Sequence, residues 1–477
     1  MGRAAVKIRN PRTGALDYDI APLDGVAVRN AAQHLRARQP QWAAKPASER
    51  AAVLTAFADA VERHAAAIAA ALTIDTGRKA ISQIEVAGTV SAIRRWAARG
   101  PGVIAAASAS DQPTGIPTIT TSTRLVPYPL VGVISPWNFP LTLALIDAIP
   151  ALAAGCAVIV KPSEVTPRFI APLVAAIAEV PDLPLLVIEG DGATGAALVP
   201  AVDFIAFTGS VATGRKVALA AAEAFVPASL ELGGKDPMIV LASADPVKAA
   251  HTALRASVVN SGQACQSIER VLVARTIAEP FLAALVDAAK AVRLNYPDIA
   301  VGDIGPFIFE KQAAIVQRQI DDAVAKGAIV LAGGQVETLD GGQYLRPTVI
   351  TGVTPDMALM REETFGPVIP VTIFDSVDDA VADANSGEFG LSAAVIAGTS
   401  AEAEAVAIRL NAGGVSINDG SLTSMVWEAE KSSFGASGMG PSRMGDSGLL
   451  RFFRRQALIR QSGEALPLSA YAEDAQR

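Results

Sequence analysis

The chain has 477 residues, of which 51% are hydrophobic and 18% charged, with a formal net charge of −7. That length exceeds one ordinary core, so two or three domains are expected, and the acidic balance excludes the basic face that nucleic-acid binding needs. Two cysteines and three scattered histidines (His34, His64, His251) exclude a disulfide framework and a zinc cluster, and point to a reducing compartment, most simply the cytoplasm.

Met1 to Pro11 has basic residues but no apolar core and no cleavage-like site, so it does not read as a signal peptide. Helices are expected over Val26–Arg38, Ala47–Leu72 and Lys79–Ala98, where apolar residues recur at three- and four-residue spacing, with Asp75-Thr76-Gly77 as a break. Residues 101–126 are rich in Pro, Ser and Thr and end in an alternating segment, Ile116–Leu125. This reads as an extended hairpin, and exposed pairing strands need a cover, for which a second subunit is a natural candidate.

From Leu130 strands and helices alternate. Strands are expected at Leu130–Ser135, Ala157–Lys161, Leu185–Ile188, Phe204–Phe207 and Ala228–Leu232. Helices are expected at Leu141–Ala154, Thr166–Ala178 and Val211–Ala224. The apolar run Leu141–Val160 is broken by Asp147, Pro150 and Gly155, so it reads as core elements and no membrane span. Such alternation builds a parallel sheet with helices on both faces, whose ligands bind at the carboxyl ends of the strands.

A second α/β region follows. It has strands at Met238–Leu241 and Ile268–Val273, a helix at Ala249–Val259, and helices at Ile277–Val292 and Lys311–Lys326. Further strands are expected near Ala328, Val368 and Ala393 and at Val415–Asn418. The alternating stretch Arg451–Arg460 is expected to pair with the Ile116 hairpin or with a neighbouring subunit.

Chemistry concentrates in loops at strand ends. Asn260-Ser261-Gly262-Gln263-Ala264-Cys265-Gln266-Ser267 places a lone cysteine between a helix and a strand, where a thiol can face a cleft; a buried thiol packing as a small hydrophobe is the alternative. Ser135-Pro136-Trp137-Asn138-Phe139-Pro140 holds an amide in a loop stiffened by two prolines, as an oxyanion donor requires; an ordinary turn is the alternative. Glu231-Leu232-Gly233-Gly234-Lys235 offers a carboxylate on a mobile glycine hinge, a candidate general base.

The other loops suit a dinucleotide. Phe207-Thr208-Gly209-Ser210 turns from a strand into a helix, and the free N–H groups of that helix favour phosphate; Ser210 can also simply cap the helix. Lys161-Pro162-Ser163-Glu164 could reach an adenosine ribose, where the carboxylate would repel a 2′-phosphate; a solvated surface pair is the alternative. Gly190-Asp191-Gly192-Ala193-Thr194-Gly195 matches G-x-G-x-x-G. It lacks the acidic residue that closes a strand about 20 residues on, so it reads as a turn near the cofactor, not as the phosphate cradle. Glu363-Thr364-Phe365 pairs an acid with an aromatic ring and could hold ribose hydroxyls.

Together these fragments resemble the NAD(P)-dependent aldehyde dehydrogenase superfamily. The resemblance rests on Pro136-Trp137-Asn138-Phe139-Pro140, Lys161-Pro162-Ser163-Glu164, Phe207-Thr208-Gly209-Ser210, Leu230 to Lys235, Gly262-Gln263-Ala264-Cys265, Glu363 to Pro367 and Ser416-Ile417-Asn418, in the family's order over nearly the whole chain. It implies an α/β fold with a Rossmann-type cofactor domain (1–108 and 130–231), an α/β catalytic domain (232–440), and an oligomerisation flap with a C-terminal tail (109–129 and 441–477). Dimers or tetramers are usual in that family.

The same resemblance implies roles. Cys265 is the nucleophile, Glu231 the general base and Asn138 the side-chain oxyanion donor. Lys161 and Glu164 are the adenosine-ribose contacts, Gly209 and Ser210 the pyrophosphate turn, and Glu363 and Phe365 the nicotinamide-ribose clamp. Ser135, Pro136, Trp137, Ser163, Gly192, Phe207 and Gly233 complete the cofactor cleft, and Asn418 lies near the substrate tunnel. A free thiol has a pKa of about 8.5, so the site is expected to favour the thiolate. The reaction implied is oxidation of an aldehyde to its acid with NAD, preferred over NADP, through a Cys265 thiohemiacetal and a thioester hydrolysed by Glu231-activated water. Coenzyme-A-acylating relatives commonly lack that base.

Near the C-terminus the chain departs from the family's Pro-Phe-Gly-Gly-x-Lys-x-Ser-Gly. It reads Ser433-Phe434-Gly435-Ala436-Ser437-Gly438, after an unusual Trp427-Glu428-Ala429-Glu430-Lys431. Thr142, Val259, Gln266, Thr423 and Trp427 are the expected tunnel residues by analogy. No second cation stands out near Cys265 to pair with a substrate carboxylate. The expected substrate is therefore an uncharged aromatic, long-chain or terpenoid aldehyde, with a semialdehyde of the succinate-semialdehyde type as the alternative. Cys156, at the start of a strand, reads as structural.

Overall fold

A computed structural model of the chain describes residues 4–473, so the outermost parts of the expected 1–108 and 441–477 segments lie outside the described residues. Two parallel-rich sheets organise the rest. In the first, the chain enters at the middle, on Leu130–Ile134. It winds outward through Ala157–Lys161 to Leu185–Val187, then returns to the other side through Phe204–Thr208 and Ala228–Glu231, all in parallel. The winding direction reverses between Leu130–Ile134 and Phe204–Thr208. Helices leave opposite faces there and open a crevice beyond the strand ends.

These strands are runs of Val, Ile, Leu and Phe buried on both faces, as covered parallel strands must be. One face packs on helices Ala47–Arg63 and Lys79–Ala107 through Leu54, Phe57, Ile93 and Trp96. The other packs on Gly25–Ala44 and Val211–Glu223 through Val28, Leu35 and Val217. In the second sheet, strands from Thr348–Thr351 through Val368–Phe374, Ile268–Ala274, Asp236–Val240 and Ser392–Ile396 to Gly414–Ile417 run parallel, and Ile329–Ala332 adds an antiparallel edge.

Several boundaries differ from expectation. The expected helix Ala47–Leu72 is two helices, Ala47–Arg63 and Ala65–Thr76, meeting at His64. The expected helix Leu141–Ala154 is also two, Pro140–Leu145 and Ala148–Ala154, because the chain turns to bury Asp147. The first hundred residues also hold a hairpin of Val6–Arg9 with Leu16–Ile20, which was not foreseen although both strands alternate apolar and polar residues. Strand Phe453–Gln461 pairs with Ile119–Pro127 over nine residues, in register from Phe453↔Pro127 to Gln461↔Ile119, so the hairpin finds its partner within the chain.

One expected boundary is crossed. Gly438–Met439, inside the expected 232–440 segment, pairs antiparallel with Ala228–Glu231 of the first sheet. Trp427, Met444, Leu449 and Phe452 join the first sheet's core. The chain returns there because apolar side chains and two arginines find burial and a counter-charge beneath that sheet.

Candidate active site

Cys265 follows a strained turn. Helix Pro246–Val258 runs into Val259–Gly262, where Asn260 (φ 61°) and Ser261 (φ 56°) both lie in the left-handed region. Such backbone persists only where neighbours hold it. Asn260 Nδ2 donates to the carbonyls of Gln263 (2.9 Å) and Asn138 (3.1 Å), and Ser261 Oγ donates to that of Gly305 (2.9 Å).

Asn138, 2% exposed, arrives on the loop after Leu130–Ile134. Its Nδ2 donates to the Gln263 carbonyl at 3.0 Å. An amide nitrogen has two hydrogens, so one remains for a ligand oxygen. The Cys265 backbone N–H has no backbone partner among the described residues. Buried Arg78, which sequence reasoning missed, donates to the Asn138 carbonyl at 3.0 Å and pins the loop.

Glu231 ends its strand without joining the wall of the large cavity. Its Oε2 accepts from Ser433 Oγ at 3.0 Å. It lies close enough for its charge to act on Cys265, so the expected base is near the thiol but parked on the C-terminal loop. Ser433 stands where the family pattern has proline, which has no such donor.

The thiol departs from expectation. Burial pushes Cys265 up to about 12, and Glu363, Glu231 and Asp236 add to the rise, with Lys431 opposing them. Without ligand, the site therefore holds a neutral thiol. Lys431 also corrects the expectation that no cation stands near Cys265.

The cavity has a volume of ≈ 790 Å³ and opens in the crevice of the first sheet. Its wall carries Cys265 and Asn138 together with all the expected cofactor residues: Ser135, Pro136, Trp137, Lys161, Ser163, Glu164, Gly192, Phe207, Gly209, Ser210, Gly233, Glu363 and Phe365. Of the expected catalytic and cofactor residues, Glu231 alone is absent from it. Phe309, Gln312 and Lys216 also line it and were not foreseen, because nothing in their local sequence marks a strand end.

Local bonds set each wall residue. Lys161 is buried and donates to the Gly190 carbonyl (3.0 Å) and to Glu164 Oε2 (3.4 Å), so this is no solvated surface pair. Ser210 Oγ accepts from Thr213 N (3.3 Å) and caps helix Val211–Glu223, and that helix points its first turn at the cavity. Asp191 caps Gly192–Leu198, so the G-x-G-x-x-G stretch, expected as a turn, starts a short helix with Gly192 and Gly195 on the cavity wall.

Glu363 Oε1 accepts from Gly234 N at 3.2 Å. A Cβ at Gly233 would overlap Glu363 Oε2, so only glycine lets the clamp close this far. Burial raises the Glu363 carboxyl to about 8, with Glu269 adding to the rise. The clamp loop is anchored by Glu269, which accepts from Thr364 N (2.8 Å) and Phe365 N (2.8 Å), and Glu269 is paired with buried Lys235 at 2.8 Å. Phe365 (φ 54°) meets Trp137 edge-on at 5.3 Å between centroids.

Of the expected tunnel residues, Thr423 Oγ1 donates to Gln266 Oε1 at 2.6 Å, and Trp427 is buried under the Arg95 guanidinium (4.2 Å). The Thr142 backbone N–H donates to Glu85 Oε1 at 2.8 Å, and Val259 is largely exposed. Asn418 instead closes the second sheet, its Oδ1 accepting from Ala397 N at 2.8 Å. Cys156 is fully buried before its strand, and burial pushes its thiol far up. Among the described residues no cluster could hold a metal ion, and no helix is long and apolar enough to cross a membrane.

Behind Glu231 lies a buried charge cluster. Asp147, fully buried, accepts from Arg443 at 2.8 Å and from Arg451. Arg443 also donates to Thr208 Oγ1 (2.6 Å) and Arg451 to Ser229 Oγ (2.9 Å). The two arginines hold the Asp147 carboxyl below its ordinary range against the opposing effect of burial.

Comparison with known proteins places this geometry. Residues 2–458 match the model of the aldehyde dehydrogenase family. A Mycolicibacterium smegmatis protein with the provisional name succinate-semialdehyde dehydrogenase (NADP(+)) is 38% identical over 428 residues, covering 89% of this chain and 82% of the relative. The solved structure of a provisionally named aldehyde dehydrogenase, PutA, from Anabaena variabilis superposes with a TM-score of 0.95 at 48% identity, covering 97% of this chain and 99% of that one. Betaine aldehyde dehydrogenase from Staphylococcus aureus, solved in complex with NAD+, gives a TM-score of 0.89 at 28% identity, with 97% and 93% covered.

Proposed function

This chain belongs to the aldehyde dehydrogenase family and is an oxidoreductase acting on aldehydes; on that premise we propose that Cys265, Asn138 and Glu231 carry the oxidation of an aldehyde to its acid. The observation that supports this most is the convergence of Cys265 and a fixed Asn138 amide on one cavity wall, with Glu231 within electrostatic reach.

The nicotinamide dinucleotide of this family fits the cavity: a capped helix start at Ser210, a buried Lys161 and a glycine cradle under Glu363 meet its phosphates and riboses. When bound, it supplies the hydride acceptor that turns a thiohemiacetal into a thioester. The chain's own residues do the rest. Water, or Glu231 swinging from Ser433, takes the proton of the neutral Cys265 thiol. The sulfur adds to the aldehyde carbon. The free Asn138 N–H and the Cys265 backbone N–H stabilise the oxygen as it gains charge; losing one such donor typically costs about 2.7–4 kcal/mol. Glu231 then deprotonates the water that attacks the thioester and releases the acid. A base in this position favours water over coenzyme A as acyl acceptor.

Two of the family's options are read more narrowly. NAD is preferred over NADP, because Glu164 would face a 2′-phosphate; the name of the M. smegmatis relative gives the opposite cofactor to that protein. Glu164→Ser should shift the kcat/KM ratio towards NADP by about tenfold, because it removes the carboxylate and frees the buried Lys161 ammonium. An unchanged ratio would place the ribose elsewhere. We also read a second copy of the chain as the cover of the flap sheet, where Ile459 is 69% exposed, and the cytoplasm as the compartment that suits two free cysteines.

Glu363 makes binding pH-dependent. Its carboxyl is raised to about 8 in the free protein, so it is protonated at pH 7. Ribose hydroxyls and a cationic nicotinamide favour the ionised form. NAD+ binding at pH 7 should therefore release protons, and affinity should rise with pH until the free carboxyl ionises near 8, then level off. Calorimetry in buffers of different ionisation enthalpy reads this directly, and Glu363→Gln should remove it.

The direct test of the activity is incubation with NAD or NADP and a panel of aldehydes, following reduced-cofactor absorbance. Cys265→Ala should abolish the signal while leaving dinucleotide binding intact. A Cys265→Ala protein that still turns over would end the assignment.

A further inference from the structure

We propose that Lys431 is the anion-binding residue of the substrate subsite, and that the aldehydes this enzyme prefers carry a carboxylate at the end remote from the reacting group. The proposal rests on Cys265 being the nucleophile and narrows the substrate class at that same site.

A chain of contacts locates Lys431. Gln266 follows Cys265. Its side-chain oxygen accepts from Thr423 Oγ1 at 2.6 Å, and its backbone carbonyl accepts from Ser421 Oγ at 3.0 Å. Thr423 and Lys431 meet over Gly414, where an added Cβ would lie 2.5 Å from Thr423 Cγ2 and 2.8 Å from Lys431 Cδ. The Lys431 backbone N–H donates to Ser442 Oγ at 3.2 Å, which fixes the stem's origin. None of Gln266, Thr423 and Lys431 lines the dinucleotide cavity. These residues flank Cys265 outside that cavity, where the proposal places the aldehyde.

Its charge is available. The side chain is half-buried, and the ammonium has no ion pair or hydrogen bond among the described residues. The acids around it hydrogen-bond elsewhere: Glu430 accepts from the N–H (2.8 Å) and Oγ (2.9 Å) of Ser447, and Asp236, which the Lys431 charge also reaches, accepts from Ser392. A partly desolvated ammonium with three donors gains most from a carboxylate. Lys431 is also the cation that favours the Cys265 thiolate, so one residue would both draw in the substrate's distal anion and ease the attack.

The test compares succinate semialdehyde with butanal, which match in carbon number and differ in the distal carboxylate. The wild type should favour the semialdehyde in kcat/KM by about tenfold to a hundredfold, the range of one charge-assisted hydrogen bond. Lys431→Met should collapse that ratio, chiefly through KM for the semialdehyde, and Lys431→Arg should retain most of it. Using the ratio cancels any effect of the lysine on the thiol, which both substrates share. Equal use of the two aldehydes by the wild type, or an unchanged ratio in Lys431→Met, would overturn the proposal. If Lys431→Met does not fold, the wild-type preference and its retention in Lys431→Arg still decide. Failure of the wild type on every aldehyde would instead overturn the parent reading of Cys265.

Discussion

Glu231→Gln is expected to turn continuous reduced-cofactor formation into a single burst matched to the number of active sites, followed by turnover lowered by about 10²–10⁴-fold. Addition of sulfur and loss of hydride leave an acyl group on Cys265, and only its hydrolysis requires a base to activate water. The amide side chain keeps the size of Glu231 and can still meet Ser433 Oγ, so the fold around the strand end is retained. Intact-mass measurement should find the acyl group on Cys265. Undiminished steady turnover would refute Glu231 as base. Loss of the burst as well would show that Glu231 is also needed to deprotonate the thiol, which the neutral Cys265 of the free protein makes a specific concern.

Asp147→Ala is expected to destabilise the protein by about 3–5 kcal/mol, the cost of leaving buried charges without their partner. Asp147 is fully buried and is the carboxylate partner shared by Arg443 and Arg451. Without it, two guanidinium groups lie under the first sheet with only neutral acceptors, Thr208, Ser229 and the Gly448 carbonyl, to satisfy them. Urea unfolding should show a lower midpoint at similar slope. Because Arg443 and Arg451 belong to the segment that brings Ser433 to Glu231, activity should fall before the protein unfolds globally. A variant as stable as wild type would show that water or rearrangement solvates the pair.

The legible part of the site followed from one rule. Alternating strands and helices imply a parallel sheet, and a parallel sheet puts its ligands at the strand ends. Ser135, Lys161, Phe207 and Gly209 lie at or just past such ends, and all four reach one cavity. A turn after Gly190 and the Ser210 cap were legible because turns and caps are local properties of a few residues. The hairpin partner of Ile119–Pro127 was legible because both strands alternate.

The remainder came from contacts between distant parts of the chain. Lys431, Ser433 and Arg443 sit in a stretch whose departure from the family pattern was visible, yet no local signal said where that stretch would go. A cation near Cys265 was not foreseen for this reason: it is absent from the residues around position 265 and comes from 166 positions later in the chain. Sequence spacing cannot report such proximity, because burial of Trp427, Met444 and Phe452 decides it.

By itself, then, the order of residues determined which elements form, which loops face the crevice, and the chemical kinds of group found there, because propensity, capping and strand polarity act over short spans. Tertiary structure decided the protonation of Cys265 and Glu363, the resting partner of Glu231 and the cation that acts on the thiol. Those depend on how completely water is excluded and on which charges share the space, and both are set only when distant segments pack together.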